Sequence, residues 1–277
     1  MSNSVLTNSS AAVALQNLTA TNNRLGDVQS RISTGLKVQG AKDNAAVWAI
    51  AQSQRADVGA LSAVRSSLDR ATSIADVALS AGESISDLLN QLKEKVVAAK
   101  DTSLGTQSRS LLNDDFKALL RSIKSAVENA AFDGGNILNG SITTGIRFLA
   151  NADATSFVTL GSKNLSLSGA VISLGLADSL LTLTGATTAL NKLDASITRV
   201  NAALGSIGAQ AKQIEAHNIF VSKLSDTLES GIGNLVDADL AKESARLQAL
   251  QVQQQLGAQS LSIANQSPQM ILSLFQG

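Results

Sequence analysis

The sequence predicts a mostly α-helical protein, built as a long coiled-coil-like helical bundle with a small β-hairpin region in the middle. Two observations support the helices. Proline occurs once in 277 residues and charged residues make up 16%, against roughly 5% and 25% in an average chain. Apolar and small residues also recur at spacings of three and four over long stretches, which is typical of helices that pack along one face. The third observation is a change of period between Phe132 and Gly185, where short alternating segments and glycines predict hairpins.

The first predicted helix covers residues 5–33. Ala11, Leu18, Leu25 and Ile32 stand seven positions apart, so they form one line along the helix. Gly35 is expected to end this helix, because glycine is favoured just past a helix C-terminus.

The second predicted helix runs from Val47 to Ala99 and would be about 80 Å long at 1.5 Å per residue. Its apolar line, here called a seam, continues through heptads and argues for coiled-coil packing. The polar residues Asp43 and Asn44 precede it, and either could cap its N-terminus. Trp48 is expected to be a packing residue near its start.

Two further seams run from Leu112 to Ala130 and from Leu190 to Leu235. Three seams can bury one another in a bundle, and Asn218 at a seam position would fix the register. The predicted bundle seam comprises Leu61, Leu68, Ile85, Leu89, Leu119, Leu193, Ile197, Leu204 and Ile214.

Between these seams, alternating pairs such as Ile146 with Phe148 and Val158 with Leu160 predict strands. Similar pairs near residues 165–167 and 181–183 extend the prediction to a small group of hairpins. Residues 161–164 are predicted to form one of their turns.

The last helix is predicted to be apolar on two faces. Leu240, Leu247, Leu250 and Leu261 form one stripe, and Ala245, Ala249, Val252, Leu256 and Ile263 form another. Residues 248–277 contain no Asp, Glu, Lys or Arg. A helix buried on one side needs only one apolar stripe, so we interpret the second as an assembly surface in preference to an internal core contact. We expect both chain ends to lack partners in a monomer, and Pro268 to end the helix.

Composition excludes several functions. Equal numbers of Lys+Arg and Asp+Glu, 22 each, leave no basic surface for nucleic acid. The sequence contains no run of about 20 apolar residues, the length that a membrane-spanning helix needs, so no membrane insertion is expected. Cysteine is absent and His217 is the single histidine, which removes the commonest metal ligands and general bases. We therefore predict no catalytic residue, no cofactor and no metal site. Residues 1–23 carry no Lys or Arg, so no cleaved secretory signal is expected.

Three segments resemble bacterial flagellins. Residues 31–38 and 41–46 resemble the flagellin motif L-S-S-G-L-R-I-N-S-A-K-D-D-A-A, and residues 264–274 resemble the ending A-N-Q-x-P-Q-x-V-L-S-L-L. Residues 132–138 are similar to the F-N-G-x-x-L-L that closes the N-terminal helical part. The short middle region matches a flagellin that lacks the large outer domains.

The resemblance implies a hairpin-like subunit whose N- and C-terminal helices pair as the inner core of a filament. The expected parts are an N-terminal inner-core helix (1–42), N-terminal rod helices (43–135), a hairpin and turn region (136–185), a C-terminal rod helix (186–237) and a C-terminal inner-core helix (238–277). The inner-core interface would comprise Leu18, Leu25, Ile32, Leu240, Leu247, Leu250, Val252, Leu256, Leu261 and Ile263.

The function implied is a subunit that self-assembles into the extracellular flagellar filament for swimming. Implied partners are further copies of itself, other flagellins, an export chaperone, the filament cap and hook-junction proteins, and the implied route is flagellar type III export. Two alternatives remain open at this point: a hook-filament junction protein of the same superfamily, and a cytoplasmic helical signalling or scaffold rod.

Overall fold

A computed structural model describes residues 8–274, and the side chains of residues 8–266. The elements in this range are α1 (Ser9–Thr34), α2 (Ala45–Ala98), α3 (Thr106–Asn129), β1 (Ile146–Leu149), β2 (Phe157–Leu160), α4 (Leu183–Val236) and α5 (Leu240–Leu274). The predicted fold class is confirmed. The chain forms two compact units, described separately below: a terminal unit (Met1–Ala56 with Thr227–Gly277) and a central unit (Asp57–Asp226).

Short polar residues and a glycine set the bounds of α1. The side-chain oxygen of Asn8 accepts a hydrogen bond from the amide of Ala11 at 3.0 Å, which satisfies one of the free donors of the first turn. At the other end Gly35 adopts a left-handed conformation with φ 73°, and its amide donates to the carbonyl of Arg31. Gly35 therefore ends the helix as the sequence predicts.

The long helix α2 begins where the sequence places a polar break. The side-chain oxygen of Asn44 accepts from the amide of Val47 at 3.1 Å, so Asn44 is the capping residue. The carboxylate of Asp43 instead accepts from the amides of Gln39 and Gly40, in the preceding turn. With no proline in its 54 residues, the hydrogen-bond ladder of α2 meets no chemical interruption.

The core of the central unit follows the predicted seams of α2 and α4. Leu61, Leu68, Ile85, Leu89, Leu193 and Ile214 are buried, whereas Ile197 and Leu204 are half-buried. The two helices approach closely where Gly82 faces Leu204: a Cβ added to Gly82 would lie 2.1 Å from Cδ2 of Leu204. A larger residue at position 82 would therefore force the side chain of Leu204 to shift.

The seam of α3 is displaced by one residue from the prediction at three points, the last of which exchanges half-buried Ala126 for buried Val127. Leu119 is half-buried, while its neighbour Leu120 is fully buried together with Phe116 and Ile123. Asn113 takes the place expected for Leu112, and its side-chain oxygen accepts from the amide of Leu180 at 3.0 Å. Positions 119 and 120 are both leucine and lie about 100° apart around the helix, so spacing alone does not choose between Leu119 and Leu120.

The turn from α2 to α3 is held by a buried arginine. The guanidinium of Arg109 donates to the carbonyls of Ala99 and Asp101, which leaves few orphan acceptors at the end of α2. The backbone amide and the hydroxyl of Ser103 both donate to the carboxylate of Asp101, the amide with the larger effect. These bonds lower the pKa of the Asp101 carboxyl group.

The middle region contains one hairpin within the described residues, where the sequence predicts several. β1 and β2 pair antiparallel, with Phe148 opposite Val158. The segments near 165–167 and 181–183 are not strands. Residues 161–164 are not a hairpin turn either, because the amides of Lys163 and Leu165 donate to the carbonyls of Ile137 and Leu138, 2.8 Å in both cases. Apolar alternation here reflects single side chains anchored in the core, without the second strand that a hairpin needs.

The last helix corrects the expectation for Pro268. α5 continues past this residue to Leu274, since one proline removes a hydrogen bond and costs about 3 kcal/mol without making further helix impossible. Between residues 8 and 274, no helix has the length and apolarity needed to cross a membrane.

Candidate functional site

The terminal unit is built on the pairing of α1 with α5. The side-chain amide of Asn8 donates to the carbonyl of Ala264 at 2.7 Å, and the Gln254 amide donates to the side-chain oxygen of Asn22 at 2.8 Å. Arg31, near the end of α1, faces Glu243, near the start of α5, at 3.8 Å. The two helices therefore run antiparallel.

This pairing corrects one expectation from the sequence. Within residues 8–34 and 240–266, the two terminal helices do not lack partners in a single chain, because each covers an apolar face of the other. The antiparallel register brings predicted inner-core residues of both helices into one half-buried line: Leu18, Leu25, Ile32, Leu247, Leu250 and Leu261. Val28 is buried, 6% exposed, and Gly257 packs close to Leu18.

The second predicted stripe of α5 is exposed. Val252, Leu256 and Ile263 are 55%, 57% and 67% exposed. At about 100° per residue they lie roughly 200–240° around the helix from Leu250, on the side away from α1. We call these three residues the outer stripe. Leu240 is also half exposed, at 50%, and lies closer to the covered face.

Helix α1 also keeps apolar residues in solvent. Val13 and Leu15 are 57% and 54% exposed. Two residues apart in a helix, they lie about 160° from each other around its axis, so they do not form one stripe. Exposed apolar side chains of this kind mark candidate interaction surface. The helix pair therefore satisfies one face of each helix and leaves apolar surface uncovered on both.

Charged side chains on the pair are confined to one end of it. Residues 8–23 and 247–274 contain no Asp, Glu, Lys or Arg, so the remainder of the pair carries none. At the charged end, Arg246 donates to Oε1 of Glu243 at 3.0 Å. Glu243 is 6% exposed, and its Oε2 has no hydrogen-bond partner among the described residues.

The segments that follow α1 and α4 are tied together by backbone hydrogen bonds. The amide of Lys37 donates to the carbonyl of Val236 at 2.7 Å, and the amide of Ala238 donates to the carbonyl of Gly35 at 2.8 Å. Leu36 and Asp237 form the corresponding bridge. These bonds fix where α5 starts relative to where α1 ends, and so set the register of the helix pair.

The charged cluster of Arg24, Arg31, Glu243 and Arg246 was not predicted from the sequence. A usable signal was present, because Arg24 and Arg246 are the last charges before the uncharged stretches at each end. The structure also gives the surroundings of His217 and Trp48. His217 lies 2.8 Å from the carbonyl of Ala150 through Nε2, and Trp48 is half-buried. Among the described residues, no group of three acidic or histidine side chains could hold a metal ion.

Comparisons with known proteins agree with these features. Residues 5–144 match the family model described as the bacterial flagellin N-terminal helical region, and residues 190–275 match the bacterial flagellin C-terminal helical region. Flagellin FljJ of Caulobacter vibrioides is 53% identical, with 100% of both chains covered. Flagellin FljK of the same organism is 49% identical over 99% of both chains.

More distant similarities extend across species. A flagellin of Brucella melitensis is 41% identical over 99% of both chains. Among solved structures, one described as a flagellar hook-associated protein of Vibrio parahaemolyticus superposes with a TM-score of 0.53 at 15% identity, over 70% of this chain and 100% of that one. At this identity the structural likeness concerns the fold alone.

Proposed function

Since the chain belongs to the bacterial flagellin family and is a structural subunit of the flagellar filament, we propose that the exposed faces of α1 and α5 are the surface through which it polymerises. The observation that carries this proposal is the outer stripe, whose three side chains are each more than half exposed. Neighbouring copies would bury them in the filament.

The energetic argument concerns the apolar area that assembly removes from water. Full burial of an exposed Val, Leu or Ile side chain contributes about 1.5–3 kcal/mol. Three half-exposed side chains on the outer stripe therefore offer a few kcal/mol per subunit, by the same measure. Residues 8–23 and 247–274 carry no charged side chain that burial would have to desolvate, so little opposes this gain in free energy.

We extend the proposal to the parts of the subunit. The terminal helices, residues 1–42 and 238–277, would form the inner core of the filament, with the ten predicted interface residues at its contacts. The rod segments 43–135 and 186–237 would supply lateral contacts through their outer faces, and the hairpin region 136–185 would lie outside them.

Flagellins of one organism support a proposal about partners. Caulobacter vibrioides has more than one flagellin similar to this chain over nearly its full length. Two subunits that share the terminal helices can exchange places in a helical polymer, so we propose co-assembly with other flagellins. Contact with an export chaperone, the filament cap and hook-junction proteins is proposed on the family resemblance, as is export by the flagellar type III route.

The hook-filament junction reading is not favoured. The relatives that match over the full length are flagellins, at 41–53% identity in those compared above, whereas the hook-associated likeness is one of fold. A cytoplasmic scaffold or signalling rod would not explain why the apolar side chains of the outer stripe are exposed.

Electron microscopy tests the proposal directly. The purified chain, brought to assembly with a sulfate salt that strengthens apolar association, is expected to form long filaments of uniform diameter. A matched sample of the Leu256→Asp variant is expected to stay monomeric, because a charge on the outer stripe would have to be buried at every contact. Filaments of equal length and number from both proteins would contradict the proposed surface.

A further inference from the structure

We propose that a cavity between α1 and α5 in the terminal unit receives a carboxylate side chain from a second copy of this chain. The cavity has a volume of about 370 Å³. Its polar lining includes Arg24 and Arg31 from α1 and Arg246 from α5, with Val28 and Leu250 as apolar wall. The inference rests on the proposed assembly of the chain and names a contact within it.

The charges of the lining leave one cation without a partner. Arg31 and Arg246 share the carboxylate of Glu243, at 3.8 Å and 3.0 Å. Arg24 forms no ion pair among the residues that the structure describes. Asp27 also lines the cavity, so three guanidinium groups face two carboxylates and the cavity carries a surplus positive charge.

Arginine is suited to this task. Its planar guanidinium presents several donors and pairs with carboxylates in a two-bond geometry. Val28 and Leu250 exclude water from one side of the cavity, while Arg24 itself is exposed and so accessible to a carboxylate of a neighbouring copy. A free cation beside a partly apolar cavity therefore favours an anionic side chain as its occupant.

The same terminal unit supplies the complementary group. Glu229 in the last turns of α4 and Asp237 just after α4 are exposed, and neither carboxylate forms an ion pair within the described part of the chain. A polymer that grows by head-to-tail contacts needs two different complementary patches on every copy. A cationic cavity and a free carboxylate on one chain meet that requirement, so each subunit would donate to one neighbour and accept from another.

Charge reversal tests the contact. Arg24→Glu is expected to raise the critical concentration for assembly at low ionic strength about tenfold, which corresponds to a loss of roughly 1.4 kcal/mol per contact. The matched control is Lys163→Glu, the same charge change in the hairpin region 136–185, which the proposed function places outside the rod contacts and which does not line the cavity; it is expected to assemble as the parent does. Circular dichroism of both variants is the check that their helix content is unchanged.

The compensating variants identify the donor. Arg24→Glu combined with Glu229→Arg, or with Asp237→Arg, recreates an opposite-charge pair between neighbours, and one of these two is expected to restore assembly. Parental assembly by Arg24→Glu, equal losses in Arg24→Glu and Lys163→Glu, or no restoration by either double variant would overturn the proposal. If the parent itself forms no filaments, the proposed function fails instead.

A small anion is the competing occupant of the cavity. Inorganic phosphate is the probe, and its binding to the monomer is followed by calorimetry. If phosphate binds the parent but not Arg24→Glu, while both assemble equally, the cavity is a free-anion site and the proposed contact between copies is wrong.

Discussion

The side-chain amide of Asn218 on α4 donates to the carboxylate of Asp69 on α2 at 2.6 Å, joining residues 149 positions apart in the sequence. Both residues lie in the central unit, beside the buried seam residues Leu68 and Val221. A polar pair next to an apolar seam favours one register over its neighbours, because sliding α4 by a heptad would leave both groups without this bond.

A double-mutant cycle on this pair measures its contribution. Asn218→Ala and Asp69→Ala are each expected to lower the free energy of unfolding by about 1 kcal/mol, since one hydrogen bond is lost in a partly solvated place. The double variant is expected to lose less than the sum of the two. Urea unfolding followed by circular dichroism gives the three values. Strict additivity would show that the pair does not couple the helices.

Gly82 offers a test of the close approach of α2 and α4. Gly82→Ala is expected to destabilise the central unit by about 1–3 kcal/mol, the usual cost of overpacking, because its Cβ meets the side chain of Leu204. Gly59→Ala in the same helix is the matched control. No atom lies within 4 Å of a Cβ there, so the better helix propensity of alanine should stabilise by about 0.5–1 kcal/mol. Melting temperatures that move the same way in both would contradict the packing.

The buried seam is tested by charge. Leu68 is 0% exposed, so Leu68→Asp places an unpaired carboxylate in the core. We expect it to lower the free energy of unfolding by several kcal/mol or to cause partial unfolding. Leu204→Asp should cost less, because Leu204 is half-buried. Lys163→Asp changes a side chain outside the seam and should cost little. Thermal unfolding ranks the three, and comparable melting temperatures would exclude the three-helix seam.

Truncation separates folding from assembly. Removing residues 248–277 takes away most of α5 and with it the outer stripe, whereas the central unit keeps its whole core. The shortened chain is expected to remain largely helical and monomeric. Sedimentation after an assembly trial decides the matter, and long filaments from the shortened chain would show that α5 is dispensable.

Much of the fold could be predicted because long helices show a regular three-and-four spacing of apolar residues. The heptads of α2 place it from Val47 to Ala99, and the structure gives Ala45–Ala98. Gly35 and Asn44 mark helix ends through their own chemistry, which depends on neighbours in the chain alone. The two stripes of α5 likewise follow from spacing.

What the sequence could not supply depends on contacts between distant residues. The extended segments after β2 alternate like strands, yet Lys163 and Leu165 bond to Ile137 and Leu138 without a ladder. The choice of Leu120 over Leu119 depends on how α3 rotates against its neighbours. The cluster around Glu243 forms only when α1 and α5 adopt one antiparallel register. No local sequence pattern predicts that register.

The outer stripe of α5 carries the central claim, and sedimentation of Leu256→Asp against the parent tests it most directly. Gln251→Asp is the matched control: it adds the same charge to the same helix at an exposed residue, about 140° around the axis from Leu256 at 100° per residue. Under identical assembly conditions, we expect the parent to pellet as filaments, Gln251→Asp to retain much of that assembly, and Leu256→Asp to stay in the supernatant with unchanged helix content. Parental pelleting by Leu256→Asp would show that burial of the outer stripe does not drive filament growth.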